Sequence, residues 1–269
     1  MIIKQNYKSL LNFLKKEQKM PKAVLVNRIG EKYSIIKTHK NDVSLIFFPS
    51  KNIYRKFNKS QKSITKIKSE FNGLKWYCSR VKKKLNSVVN DYSVKKNFSY
   101  IETKKINGKK YKSWHPLETN YPYLIKAFKH YLKYYPKKKI SYIHGDLTLD
   151  NLIFQKKNIF IIDWEYFYSK QNYRGYDIVY LFLSSVCLPY VFNKSFSKKD
   201  EKLFKIMWKL LIKKDFNREM LYNPFKFFEQ NIQKDSTLKK AFKISKSKFF
   251  PFITNKNHKK RIKSIIESI

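Results

Sequence analysis

The stretch that decides the fold is "IHGDLTLDNLIF", Ile143 to Phe154, followed four residues later by "IFIIDWEYF", Ile159 to Phe167. Two acidic, sharply punctuated segments stand side by side in a chain otherwise crowded with lysine. "ISYIHGD", "NLIF" and "NIFIIDW" are short strand-like runs, so the acidic residues fall where strands end and loops begin. His144, Asp146 and Asn151 come first, and Asp163 lies twelve residues beyond Asn151. A carboxylate, with an amide five residues later on the same loop, can orient a hydroxyl nucleophile and hold a metal ion. A second carboxylate at the end of the next hairpin can complete the metal site. Phosphoryl transfer needs this division of labour, because its catalysis is mostly positioning plus neutralisation of phosphate charge.

The spacing H-x-D-x-x-x-x-N is that of the kinase catalytic loop, with Gly145 in place of the usual Arg. "HGDLTLDN" together with "IIDWEY" resembles the aminoglycoside phosphotransferase and choline/ethanolamine kinase superfamily, whose members share the protein-kinase-like fold. The resemblance is strongest from Tyr142 to Phe182, and "EYFYSKQNYRGYDI", Glu165 to Ile178, is similar to the segment after the metal-binding Asp in choline and ethanolamine kinases. It implies Asp146 as catalytic base, Asn151 and Asp163 as Mg²⁺ ligands with Asn151 on the nucleotide side, and Asp177 as an anchor beneath the catalytic loop. Trp164-Glu165 stands where protein kinases have Phe-Gly, which points away from protein substrates.

Taken singly, these residues say little: His-Gly-Asp can simply make a turn, and an Asp at a strand end is commonly a cap. Their joint occurrence in order, on the right elements, is what carries the chemistry. His144 reads as a structural hydrogen-bonding residue rather than an acid or base. Glu165 reads equally as a contact for metal or substrate and as a structural residue.

Upstream, "KAVLVNR", "YSIIKTH", "VSLIFFP" and "NIYRKF" are β-rich runs broken by turn residues, and they predict an antiparallel sheet. From Ser60 to about Leu85 the period becomes helical, with Ile64, Ile67, Phe71 and Leu74 on one stripe and Ser60 or Ser63 as N-cap. "FSYIETKKINGKKYKSW" predicts a hairpin turning at Asn107-Gly108. A helix beginning "YPYLIKAFKHYLKYY" at Tyr121 ends before Pro136, and "DIVYLFLSSVCLPYVF" from Asp177 is too short to span a membrane and reads as a buried helix. The fold class is therefore α+β, a two-lobed protein-kinase-like arrangement. A β-rich nucleotide-binding lobe with one main helix occupies 1–112, and a mostly helical catalytic and acceptor-binding lobe occupies 113–269.

The first lobe has to supply a cation for the ATP phosphates and a helix carboxylate to hold it. Glu70 is that carboxylate. In Ile53-Tyr54-Arg55-Lys56-Phe57, Arg55 is favoured as the cation, with Ile53 facing the nucleotide; some choline-kinase-like proteins use Arg there, and Lys56 takes the place if the strand is shifted by one. The turn between "YSIIKTH" and "VSLIFF" contains no glycine, so "KTHKND" must cover phosphate with side chains or grip it less closely. Beyond the catalytic segments come Trp208, Tyr222, Phe225, Phe227, Phe228, Phe249, Phe250 and Phe252. In choline-kinase-like proteins rings from this region hold the ammonium group of the substrate, while the plainer reading makes them core.

Sixty Lys+Arg against 19 Asp+Glu give a formal charge of +41, which raises the question of nucleic acid. Almost all of the cations are Lys, and Lys, Ile, Asn, Tyr and Phe share A/T-rich codons, so the charge follows composition. Base-reading proteins rely on the Arg fork, scarce here, and no specific nucleic-acid partner is expected. Two cysteines, Cys78 and Cys187, form no disulfide framework and fit a reducing cytoplasm. The N-terminal run "MIIKQNYKSLLNFLKKEQK" lacks the unbroken apolar core of a signal peptide and reads as an amphipathic helix, packed on the protein body in preference to a peripheral membrane contact. Together these features predict a cytoplasmic, ATP- and Mg²⁺-dependent kinase for a small-molecule hydroxyl. A choline- or ethanolamine-like amino alcohol ranks first, a sugar next and an aminoglycoside third, with a pseudokinase-type binding module as the rival.

A chain charged by composition should bind nucleic acid weakly, without sequence preference and with steep loss as salt rises. Fluorescence titration of random and defined oligonucleotides across a salt series should show that pattern. Tight binding to one sequence at physiological salt would refute it.

Overall fold

A computed structural model describes residues 3–5, 33–37, 44–57, 64–95, 99–136, 140–156, 158–191, 195–234 and 256–269. Ile3–Gln5, read from sequence as part of an N-terminal helix, form a strand instead. The rest of that expected helix, the run "KAVLVNR", the turn that follows Lys37, the caps Ser60 and Ser63, and Phe249, Phe250 and Phe252 lie outside the described residues. The chain divides into two compact units, Met1–Asn107 and Gly108–Ile269.

In the first unit, short β-rich runs pair into one antiparallel sheet. Its strands are β1 (Ile3–Gln5), β2 (Tyr33–Lys37), β3 (Ser44–Phe48), β4 (Ile53–Phe57), β5 (Val89–Val94) and β6 (Ser99–Lys104), in the order β1-β2-β3-β4-β6-β5. Helix α1 (Ile64–Arg80) packs against β5 and β6 and buries Ile67, Glu70, Leu74, Tyr77 and Cys78. That stripe is rotated from the expected one: Phe71 is only half-buried and stacks on Tyr92 at 4.0 Å.

Alternation along β4 buries Ile53, Arg55 and Phe57 and leaves Tyr54 and Lys56 half-buried on the opposite face. The cross-strand partner of Arg55 is Glu102, and the two form a fully buried ion pair at 2.6 Å, with Nε donating to the same oxygen at 2.8 Å. Asn90 donates to the other Glu102 oxygen at 2.7 Å, and the guanidinium lies 4.7 Å from the Tyr100 ring centre. Glu70 pairs instead with Lys56, at 3.0 Å. This corrects the expected pairing of Arg55 with Glu70. The physical reason is strand parity: successive side chains of β4 point to opposite faces, Glu102 stands directly across from Arg55 on β6 and shares its face, and the neighbouring Lys56 is the cation that meets Glu70.

The hairpin expected at Asn107-Gly108 is also corrected, because β6 pairs with β5 and β4. Beyond it, Lys109 and Phe154 exchange two main-chain hydrogen bonds of 2.9 and 2.8 Å. A Cβ on Gly108 would stand 2.5 Å from Ile153 Cγ2 and 2.8 Å from the Phe154 carbonyl oxygen, so glycine serves this close approach. Residues 108–112 thereby fall within the second unit, five residues ahead of the boundary read from sequence.

Helix α2 (Leu117–Tyr134) opens the helical part of the second unit, four residues earlier than expected, and continues through Pro122. Its buried residues Leu117, Asn120, Leu124, Ala127, Phe128 and Tyr131 keep helical spacing. Strands β7 (Ile140–Ile143), β8 (Leu152–Phe154), β9 (Ile159–Ile161) and β10 (Tyr168–Gln171) form two small antiparallel pairs, β7 with β10 and β8 with β9. Helix α3 (Tyr176–Val191) is apolar on nearly every side and is buried accordingly, packed against α2, α4 (Lys198–Ile212) and α5 (Arg218–Tyr222). Helices α6 (Pro224–Lys234) and α7 (Lys256–Glu267) complete the described residues. No helix among them is long and apolar enough to cross a membrane.

Truncating one partner of a buried ion pair strands the other, so Arg55→Ala should cost about 3–5 kcal/mol in urea unfolding. The paired replacement Arg55→Met with Glu102→Leu should recover most of that loss. Wild-type stability of Arg55→Ala would place the charge of Glu102 in other hands.

Candidate active site

The site is built on a loop held by its own main chain. Where β7 ends, the amides of His144 and Gly145 both donate to the Asp177 carboxylate, at 2.8 and 3.0 Å. Gly145 has φ +88°, and a Cβ there would meet Tyr166 Cβ at 2.7 Å and the Tyr166 carbonyl oxygen at 2.8 Å, so both the turn and its neighbour require glycine. His144 is fully buried against Trp164, with ring centres 4.6 Å apart. Its Nε2 donates to the Ile162 carbonyl at 2.9 Å, which leaves Nδ1 to accept the Asp146 amide at 3.3 Å. Both ring nitrogens are therefore occupied by main chain.

Asp146 follows, half-buried, and its carboxylate Oδ1 accepts the Tyr180 hydroxyl at 3.2 Å. Five residues on, a short 3-10 turn, Leu149–Asn151, brings the Asn151 Nδ2 back to donate to the Asp146 carbonyl at 2.8 Å. The Asn151 carbonyl in turn accepts the Ile162 amide at 3.0 Å, tying the loop to the end of the β8–β9 hairpin. Asp163 comes next in the left-handed region, φ +68°, followed by Trp164, buried with Nε1 donating to the Ile161 carbonyl at 3.0 Å. Hydrogen bonds thus join Asp146 and Asn151 on one loop, and the hairpin bonded to Asn151 through Ile162 brings Asp163 close enough to act electrostatically on Asp146.

Electrostatics sharpen that picture. Loss of water raises the Asp146 carboxyl to about 7, and the negative charges of Asp163, Glu165 and Asp150 push in the same direction while the Tyr180 hydrogen bond pulls down. Burial likewise lifts Asp177 to about 7, opposed by the amides of His144 and Gly145. Four carboxylates gathered in a chain of formal charge +41 repel one another, and a cation relieves that repulsion. Asp150 is partly answered already, since it accepts the Ser113 amide at 3.0 Å and lies 3.5 Å from the Lys112 ammonium.

The donor set suits Mg²⁺. With the Asn151 nitrogen committed as a donor, its Oδ1 is the ligand-capable atom, and Asp163 supplies a hard anionic oxygen. Magnesium is commonly held by one or two protein oxygens, with water and substrate phosphates completing the shell. Among the described residues no group of three or more His, Cys, Asp or Glu could hold a metal ion.

In the first unit the ion pair of Lys56 and Glu70 presents a half-buried ammonium fixed by a buried carboxylate, while Arg55 is consumed by Glu102. The expected aromatic cage is not found among the described rings. Trp208, Phe225, Phe227 and Phe228 are buried, the Trp208 nitrogen donates to the Leu221 carbonyl at 3.1 Å, and Tyr222 is half exposed. Trp208, Phe225, Phe227 and Phe228 are therefore part of the core. Sequence reading overlooked Tyr180, whose signal was a hydroxyl three residues after Asp177, on the same face of the helix.

No protein-family model matches the chain, and no curated protein matches it. Similar solved structures include the choline kinase LicA from Streptococcus pneumoniae, 13% identical, covering 97% of this chain and 100% of that one with a TM-score of 0.40. The streptomycin–ATP–APH(2")-IIa ternary complex is 11% identical over 93% and 99%, TM-score 0.36. A choline/ethanolamine kinase family protein from Mesorhizobium loti is 10% identical over 87% and 92%, TM-score 0.34.

A carboxyl raised by folding holds its proton longer than in the unfolded chain, so stability falls as pH climbs from about 4 to about 7. Asp146→Asn removes that fall. In a chelator, the variant should exceed wild type in thermal stability by on the order of 1–3 kcal/mol at about pH 8, with the gap narrowing towards pH 5. A wild type that is the more stable form at pH 8 would contradict the charge repulsion described.

Proposed function

We propose that the chain is a cytoplasmic, ATP- and Mg²⁺-dependent phosphotransferase that phosphorylates a hydroxyl of a small molecule, built as a protein-kinase-like pair of lobes. The observation that carries this reading is the assembly of Asp146, Asn151 and Asp163 on one hydrogen-bonded loop and hairpin, anchored through Asp177. Asp146 orients the acceptor hydroxyl and takes its proton as the hydroxyl oxygen bonds to the γ-phosphorus and the bond to the β-phosphate oxygen breaks. Asn151 Oδ1 and Asp163 hold Mg²⁺, which supplies neutralisation of phosphate charge. Lys56, fixed by Glu70, is the phosphate-binding cation of the first unit. Buried, unpaired Cys78 and Cys187 agree with a reducing compartment.

Among acceptors, an amino alcohol of the choline or ethanolamine kind ranks first. Asp146 and Glu165 supply local negative charge for an ammonium group, an argument that no longer leans on a ring cage. Sugars and aminoglycosides follow. The lack of glycine in the turn before "VSLIFF" favours a second reading, a pseudokinase-type binding module with a loosened grip on nucleotide.

The test is ATP consumption by the purified protein with choline, ethanolamine, neutral sugar alcohols and aminoglycosides. Turnover should appear with an amino alcohol and fall by about 10²–10⁴-fold in Asp146→Ala. Asp163→Ala should lose turnover as well, and weaken Mg²⁺-dependent nucleotide binding more than Asp146→Ala does. Near wild-type turnover in either folded variant defeats the mechanism. Preference for neutral acceptors removes only the amino alcohol, and nucleotide binding without turnover on any acceptor favours the binding module.

A further inference from the structure

Tyr180 has no part in the chemistry just described, yet its hydroxyl makes the side-chain hydrogen bond to the Asp146 carboxylate. Main-chain bonds already fix Asp146 on both sides: Asp177 takes the two preceding amides, and Asn151 donates to the Asp146 carbonyl. Those contacts set where the residue is, not how its carboxylate is turned. A half-buried Asp side chain keeps rotation about two bonds unless something holds an oxygen. Tyr180 does so, at 3.2 Å to Oδ1.

Its suitability follows from its seating. Asp177 and Tyr180 are three residues apart on α3 and so share a helix face. One turn of one buried helix therefore holds both the loop main chain and the carboxylate. The Tyr180 ring is 3% exposed and lies near-parallel to Tyr176 with centres 6.4 Å apart, while Phe228 of α6 meets it edge-on at 5.9 Å. A ring clamped this way presents its hydroxyl at a fixed point, and a buried tyrosine hydroxyl needs a partner. Burial and the neighbouring Asp146 charge hold the phenol far above its ordinary titration range, so at neutral pH it is a donor only towards a carboxylate.

We propose that Tyr180 is a positioning residue: by donating to Asp146 Oδ1 it fixes the carboxylate plane and leaves Oδ2 as the oxygen that receives the acceptor proton. The proposal rests on the phosphotransferase reading and goes beyond it by assigning a donor that the H-x-D-x-x-x-x-N motif does not contain. Misalignment of a general base lowers the rate of the chemical step while leaving ground-state binding in place.

The experiment is steady-state kinetics of Tyr180→Phe, which removes one oxygen and keeps the ring. Substrates are MgATP with choline, and MgATP with water as acceptor, followed by ADP release. The expected result is a kcat lower by about 10- to 100-fold with KM for MgATP and for choline unchanged within about twofold. Wild-type kcat, or a rise in KM with kcat unchanged, overturns the proposal, since a purely structural tyrosine would act through stability or binding. Thermal unfolding of Tyr180→Phe, Asp146→Asn and the double variant gives an independent arm: the effects should be non-additive, and additive effects overturn the contact. Should Tyr180→Phe fail to fold, Phe228→Leu loosens the ring instead and should show the same kcat loss. Absence of turnover by wild type with either acceptor overturns the phosphotransferase reading and the catalytic role with it, and the unfolding cycle still decides whether the bond exists.

Discussion

Everything at the site depends on one carboxylate that does no chemistry. Asp177 accepts the amides of His144 and Gly145 from the first turn of α3, a helix buried on nearly every side. Two such bonds hold a loop whose glycine is in a left-handed conformation, and they place the next residue, Asp146, at the end of a rigid main-chain bracket. Charge-assisted bonds of this kind are about twice as strong as neutral ones, and burial deprives the amides of any alternative in water. The cost is a carboxylate far from solvent, which is why its affinity for a proton is raised.

The candidate site of the second unit was legible in the sequence because its residues are spaced along one short segment. His144, Asp146, Asn151 and Asp163 lie within twenty residues of one another, and local main-chain bonds join them, so order along the chain nearly dictates proximity. Tyr180 escaped notice because a tyrosine in a run of apolar residues looks like core until its hydroxyl is traced. The first unit was less legible. Which of Arg55 and Lys56 meets Glu70 depends on strand parity, and with two adjacent cations between apolar residues the five-residue run is compatible with either face. Glu102, the residue that decides it, is 47 positions from Arg55. Asn107-Gly108 carried a turn signal that the fold uses differently, as a place where two backbones touch.

Charge works on two scales here. At long range a formal +41 draws in polyanions such as nucleotides, whereas near Asp146 the sign reverses and favours cations. Ionic strength screens the first field within about 10 Å and leaves the second, partly buried one largely intact. The two fields therefore respond to salt differently.

Gly145 has a consequence for control. In protein kinases the residue at that point of the catalytic loop is an arginine, and phosphorylated activation loops are ordered by pairing with arginines. Here the position has no room for even a Cβ, because the main chain and Cβ of Tyr166 stand within 3 Å of where it would be. No guanidinium can be installed beside Asp146 without rebuilding the loop. An arginine that could pair with a phosphate therefore has no place at this point of the loop.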